Sequence, residues 1–287
     1  MMRRREFLGL AAAGLCGAAD DPWKSLTTGF DGTVGAAALH VASGRRVQLN
    51  GDERFPLASV CKVPIAMQML ALVGEGKYTL KQPIDIPAGD VVKSVSPIGE
   101  RWARRKKWPL DEMIELMIAK SDNTAVQTFY RLGGGGEGIT ARLRGWGIGG
   151  VRIDRDERTI GLEAAKDPRA FPTDPRDTGT PNGTLDMLHK ALYGKILRDD
   201  LTKFLRASME KTTTGAGRIP ALLPKGTPVA RKTGTMSGSA NDVGTIGLPK
   251  GGEVIVAFYT KGSSRDLPAR ERLIAQLAKA AYDWAAA

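Results

Sequence analysis

Apolar and polar positions alternate from Val34 to Val41 and again over residues 45–49, with Ala42-Ser-Gly44 between them, which predicts two strands joined by a turn. The rhythm then changes. Phe55-Pro-Leu-Ala-Ser-Val-Cys-Lys-Val-Pro-Ile-Ala-Met-Gln-Met-Leu70 is almost unbroken in its apolar character and stops at Gly74-Glu-Gly76, the pattern of a buried helix. Pro64 falls inside it and, by removing a backbone donor, predicts distorted first turns. Residues 82–109 are rich in Pro and Gly and read as loop. Leu110 to Leu132 keeps a 3.6-residue period, broken after Ala119 by Lys120-Ser-Asp-Asn-Thr and ended by the glycines at 133–136. Residues 137–145 are helical again. From Asp154 to Pro181 little periodicity survives, and a loop of that length inside a compact domain is expected to be functional or mobile. Two helices, Thr184 to Leu197 and Leu201 to Lys211, precede strands at Pro228–Thr233, Asp242–Leu248 and Glu253–Tyr259. An amphipathic helix, Pro268 to Trp284, follows them.

Strands at both ends with helices between them predict an α/β (α+β) fold in which the two ends of the chain build one sheet. The expected division is a discontinuous α/β lobe, residues 20–50 and 211–287, and a helical lobe, residues 51–210, that includes the loop 154–181. The cleft between the lobes is the expected site. With 287 residues, 42% hydrophobic and 25% charged, the chain supports a large core and is not of the disordered class.

The first nineteen residues change the picture of location. Arg3-Arg4-Arg5-Glu6 followed by Phe7-Leu8-Gly9-Leu10 and a short apolar run resembles a twin-arginine export signal, with cleavage expected near Ala19 and a periplasmic or secreted product. The run is too short to span a bilayer, and no later stretch approaches that length, so no membrane association is expected after processing. Of two cysteines, Cys16 lies in the signal, which leaves Cys61 without an intrachain partner and excludes a disulfide framework. The formal charge of +11 falls to about +9 without the signal and favours approach of anionic small molecules. Its densest run, Arg101 to Trp108, has no nucleic-acid-binding motif around it. His40 and His189 are the only histidines, too few for a zinc hydrolase, and no G-x-S-x-G supports a Ser-His-Asp triad. Neither metal nor cofactor is expected, and the chain is expected to be a monomer.

Chemistry enters with Ser59 and Lys62. Three residues apart on a helix, they share a face, and an amine whose pKa is lowered by burial and neighbouring charge can take the proton of a serine hydroxyl and make it a nucleophile. Alone the pair decides little, since about one S-x-x-K is expected by chance in a chain this long, and a second occurs at Ser208-Met-Glu-Lys211. Two rarer triplets decide. Ser121-Asp122-Asn123 has a chance expectation of roughly a hundredth and Lys232-Thr233-Gly234 roughly a tenth. The order S-x-x-K, S-D-N, K-T-G admits Ser59 and rejects Ser208, which follows S-D-N.

With these triplets, and with Pro87-Ala-Gly-Asp90, Leu132-Gly-Gly134, Arg152-Ile-Asp-Arg-Asp-Glu157, Asp174-Pro-Arg-Asp-Thr178, Thr212-Thr-Thr-Gly215 and Asn241-Asp242, the chain resembles class A serine β-lactamases over nearly its whole mature length. The resemblance implies an antiparallel sheet flanked by helices beside a mainly helical lobe. It implies a hydrolase that opens the β-lactam amide of penicillins or cephalosporins through an acyl-enzyme on Ser59. Lys62 and a Glu-bound water are the two implied acylation bases. Ser121 would pass a proton to the leaving nitrogen, and the backbone N–H groups of Ser59 and Thr235 would hold the oxyanion. Asn123 would bind the substrate's side-chain amide, and Lys232, Thr233 and Thr235 its carboxylate. Arg218, fourteen residues before Lys232, stands at the offset some members use for a carboxylate-binding arginine.

Glu157 would activate the deacylating water, with an Arg155–Asp177 ion pair closing the loop; counting back from Asp174 points instead near Glu163. Three positions depart from the family pattern. Gly161 stands where an asparagine usually helps to hold the water, the loop between Glu157 and Asp174 is about seven residues longer than usual, and Val95 replaces the aromatic before Ser96-Pro97. Deacylation is therefore expected to be slow relative to acylation. A D-Ala-D-Ala carboxypeptidase-like enzyme, or a penicillin-binding protein that stays acylated, is the alternative.

Overall fold

The computed structural model describes residues 22–167 and 170–287; the expected signal and Cys16 lie outside the described residues. Its centre is a five-stranded antiparallel sheet of β1 (Thr33–His40), β2 (Arg46–Leu49), β7 (Val229–Met236), β8 (Ser239–Gly247) and β9 (Glu253–Lys261), in the order β2-β1-β9-β8-β7. Both ends of the chain meet through the β1–β9 pairing, where Ala36 opposes Phe258. Short pairs complete the strands: β3 (Phe55–Pro56) with β6 (Thr178–Gly179), and β4 (Pro83–Asp85) with β5 (Lys107–Pro109).

The helices are α1 (Lys24–Thr27), α2 (Lys62–Gly74), α3 (Pro97–Arg101), α4 (Leu110–Ala119), α5 (Asn123–Leu132), α6 (Gly135–Gly145), α7 (Glu157–Lys166), α8 (Pro181–Leu192), α9 (Asp199–Glu210) and α10 (Leu267–Ala286). On one face of the sheet, α10 joins Trp23, Val34, Ile246 and Phe258 in a cluster that Trp23 closes by donating its indole N–H to Leu277 O at 3.0 Å. Against the other lies the larger cluster around α2. Every α2 residue from Lys62 to Val73 is buried, with Lys62 and Gln68 its only polar side chains, so this helix carries no amphipathic signal.

Two expectations need correction, on residues 82–109 and 154–181, while the distortion expected in the first turns of the buried helix is present as a 3-10 turn. The segment 82–109 contains β4, α3 and β5. The 3-10 turn spans Ala58–Cys61, and the α-helix proper starts at Lys62. Pro64 then sits in the first α-turn, where an N–H would have no intrahelical partner, and is tolerated. The loop 154–181 contains α7. Asp156 caps it by accepting from Thr159 N at 2.7 Å, and Glu, Leu, Ala and Lys favour the helix. It buries no residue completely, which is why apolar periodicity does not reveal it.

Cys61 is buried and free, its thiol pushed up to about 12 by desolvation. His40 bonds Ser43 Oγ through Nδ1 at 2.7 Å, and His189 stacks on Tyr193. No helix among the described residues is long and apolar enough to cross a membrane.

Candidate active site

Ser59 lies in the 3-10 turn that leads into α2. Side chains three apart in such a turn are nearly eclipsed, and this sets Lys62 Nζ 2.8 Å from Ser59 Oγ. Lys62 is fully buried. Its amine also lies 3.0 Å from Ser121 O, 2.9 Å from Ser121 Oγ and 2.6 Å from Asn123 Oδ1. Two of these four partners, the Ser121 carbonyl and the Asn123 amide oxygen, only accept. A neutral amine has two protons for those two oxygens and a lone pair left for a hydroxyl proton. Burial lowers the Lys62 pKa, against the opposing pull of Glu157, and favours that state.

Ser121 comes from the turn between α4 and α5, and Asn123 is the first residue of α5. Ser121 has φ +62°, while Ala58 at +47°, Val95 at +45° and Asp177 at +51° are also left-handed around the cleft. Each such non-glycine residue costs about 1–3 kcal/mol and persists only where its surroundings over-determine it. Asp122 does that for Ser121: it accepts from Ala125 N at 2.8 Å as the α5 cap and from Ile98 N at 2.7 Å. Val95 is 61% exposed, and its carbonyl accepts from Asn123 N at 3.0 Å.

The third motif is on β7, an edge strand, so half its backbone groups have no strand partner and face the Ser59 turn. Lys232, fully buried, donates to Ser121 Oγ at 3.1 Å and Thr233 O at 2.9 Å. Burial first, then repulsion from Lys62, holds its pKa well below that of a free lysine. Ser121 Oγ thus lies between two buried amines. Thr233 shares a 2.5 Å hydrogen bond with Thr214. Gly234 has a steric reason: a Cβ there would lie 2.6 Å from Leu57 O.

Arg218 is buried, and nearly all its donors are engaged: it bonds Gly234 O at 2.9 Å, Asn241 O at 2.8 Å and Thr235 Oγ1 at 2.6 Å, and pairs with Glu271 at 3.0 Å. Because Arg218 donates to the Thr235 oxygen, the Thr235 proton is free to point into the cleft.

The loop closes the remaining side. Arg155 donates to Asp177 Oδ2 at 2.6 Å, while Asp177 Oδ1 accepts from Asp154 N and Arg155 N at 2.8 and 3.0 Å. Asp174, 3.0 Å from Arg155, also bonds Arg176 at 2.7 Å, and this bonding lowers its pKa to about 2. Glu163 is taken up by Arg155 and Arg176, the latter at 2.9 Å. Glu157 shares a cavity of about 240 Å³ with Ser59, Cys61, Ile160, Gly161 and Thr235, and the other carboxylate residue lining it, Asp177, is held by Arg155. Burial raises its pKa, partly offset by Lys62. A Cβ at Gly161 would meet nothing within 4 Å.

The structure therefore brings Ser59, Lys62, Ser121, Asn123, Lys232, Thr233, Thr235 and Glu157 to one cleft, with Arg155 and Asp177 fastening the loop and Arg218 behind β7. Sequence reading gave no role to Gln127, Asp156, Arg176 or Thr214. The last three lie in stretches that carry the family resemblance, and Asp156 also precedes a helix-forming stretch, whereas Gln127 left no signal. Among the described residues no group of three or more His, Cys, Asp or Glu is placed to hold a metal ion.

The profile described as "Beta-lactamase enzyme family" matches residues 20–285. Beta-lactamase SME-1 of Serratia marcescens is 31% identical over 90% of this chain and 86% of its own length, and the carbapenem-hydrolyzing beta-lactamase KPC of Klebsiella oxytoca is 30% identical over 96% and 92%. Among solved structures, an ancestral (GNCA) class A beta-lactamase superposes with a TM-score of 0.84 at 33% identity, covering 91% of this chain and 97% of its own. A beta-lactamase from Chitinophaga pinensis gives 0.83 at 29% identity over 91% and 97%.

Proposed function

The chain belongs to the beta-lactamase enzyme family, as a class A serine β-lactamase, and from that premise we propose the following division of its chemistry. Lys62 takes the Ser59 proton, and Ser59 Oγ attacks the lactam carbonyl. The N–H groups of Ser59 and Thr235 receive the oxyanion, donors worth roughly 3–4 kcal/mol each when preorganised. As the C–N bond breaks, Ser121 delivers a proton to the nitrogen and is resupplied from the adjacent amines. Asn123 Nδ2 holds the substrate amide, while Lys232, Thr233 and the free Thr235 proton hold its carboxylate; Arg218 serves that contact through Thr235. Glu157 then takes a proton from water as the water attacks the ester, and that proton passes to Ser59 Oγ as it leaves, which restores both groups.

The observation that carries this reading is the single Lys62 amine within 3.0 Å of Ser59 Oγ, Ser121 Oγ and Asn123 Oδ1, which links two of the three motifs at one atom. The test is intact-mass spectrometry over time after adding a penicillin, together with hydrolysis of a chromogenic cephalosporin. An adduct that forms and decays with turnover is expected. An adduct that persists identifies a penicillin-binding protein, and cleavage of a stem peptide a D-Ala-D-Ala peptidase. An exported monomer acting on a small β-lactam, with its lobes divided at residues 50 and 211, fits the same reading; the sheet's construction from both chain ends supports the division.

Two expected results arise here. Gly161→Asn, which the open space at that position admits, is expected to speed deacylation by restoring an amide beside Glu157, read as faster decay of the adduct. Gly234→Ala forces β7 away from the Ser59 turn and is expected to slow acylation about a hundredfold, the scale of a misplacement near 1 Å, read by stopped flow.

A further inference from the structure

Glu157 stands at the first position of α7, and what fixes that position is a residue outside the three motifs. Gln127 on α5 is 8% exposed, and its amide spans Glu157. Its Nε2 donates to Asp156 Oδ2 at 2.9 Å, on one side, and its Oε1 accepts from Arg158 N at 3.3 Å, on the other. The Asp156 carboxylate is thereby shared: Oδ1 caps the helix through Thr159 N, and Oδ2 is held by α5. Asn123, Gln127 and Tyr130, four and then three residues apart, lie on one face of α5. Asn123 meets Lys62, Gln127 meets the residues around Glu157, and Tyr130 donates to Asp154 O at 2.6 Å. One helical face therefore fixes the distance between Lys62 and the carboxylate.

We propose that Gln127 is a positioning residue for Glu157, bridging the residues on either side of it so that the carboxylate is aimed at the ester on Ser59. The inference rests on the reading of Glu157 as the deacylation base. Its chemical content is that an amide is needed: the site asks for a donor toward a carboxylate and an acceptor toward a backbone N–H from one planar group. Gln127→Glu keeps the shape and the acceptor but turns an oxygen toward Asp156, a like-charge contact. Adding Asp156→Asn restores a donor–acceptor pair with its direction reversed and retains a good helix cap.

The experiment measures acylation and deacylation separately, by stopped flow and by mass decay of the adduct, in the full protein and in Gln127→Glu, Gln127→Ala, Gln127→Glu with Asp156→Asn, and Glu157→Gln. Gln127→Glu is expected to slow deacylation by about tenfold to a hundredfold with acylation unchanged, and Asp156→Asn in that background to recover most of the loss. Unchanged deacylation in Gln127→Glu, an equal fall in both steps, or no recovery on adding Asp156→Asn overturns the proposal. Wild-type deacylation in Glu157→Gln would instead remove the reading of Glu157 itself. The isosteric variant keeps the test decisive if Gln127→Ala does not fold.

Discussion

Ser59→Ala is expected to abolish turnover of a chromogenic cephalosporin, a loss on the order of a millionfold when a nucleophile that works with its base as a unit is removed. The folded protein should survive the change. Ser59 lies in a short 3-10 turn, and losing its hydroxyl leaves Lys62 with the Ser121 carbonyl, the Ser121 hydroxyl and the Asn123 amide as partners. Melting temperature should therefore stay near that of the parent while the penicilloyl adduct disappears from the mass spectrum. Turnover that persists in Ser59→Ala would move the nucleophile elsewhere.

Glu157→Gln is the second large effect, and it separates the two halves of the cycle. If Lys62 is the acylation base, the adduct still forms at the parent rate and then stays. The steady state falls by about a thousandfold, within the range of general-base contributions. A Glu157→Gln protein that no longer acylates would instead assign the first proton transfer to the Glu157 side. The neutral side chain is not expected to unsettle the loop, because the charges that fasten it belong to Arg155, Asp174, Asp177, Arg176 and Glu163. Burial already disfavours the Glu157 charge.

The legible part of this site is the part encoded at short range. Ser59 and Lys62, Ser121 to Asn123 and Lys232 to Gly234 are local spacings, and each survives as a triplet because neighbouring atoms must meet. The strands of the sheet were legible in part: β9 is an apolar run, whereas β8 opens on the polar Ser239-Ala-Asn-Asp242, so its first three residues fall before the expected start at Asp242. What stayed hidden depends on distant register. Gln127 reads as an ordinary polar residue on a helix until α7 is laid against α5. Arg218 reads as a surface arginine or a substrate ligand, yet it is buried, because the backbone of β7 and β8 offers it Gly234 O and Asn241 O. The α7 helix escaped for a related reason: its inner side borders a cavity rather than core, so no apolar stripe announces it.

The pairing of β1 with β9 joins positions more than two hundred residues apart, with Thr33 opposite Lys261. A ribosome releases Ser59 and both the S-x-x-K and S-D-N motifs long before the strands of the C-terminal part can dock beside them. Until residue 261 emerges, β1 has no neighbour on that side and β8 is missing one edge. Such distant closure makes assembly slow and leaves unpaired edges exposed meanwhile. The nascent polypeptide thus carries Ser59 early, while the sheet behind the cleft proposed to activate it closes only after residue 261 has emerged.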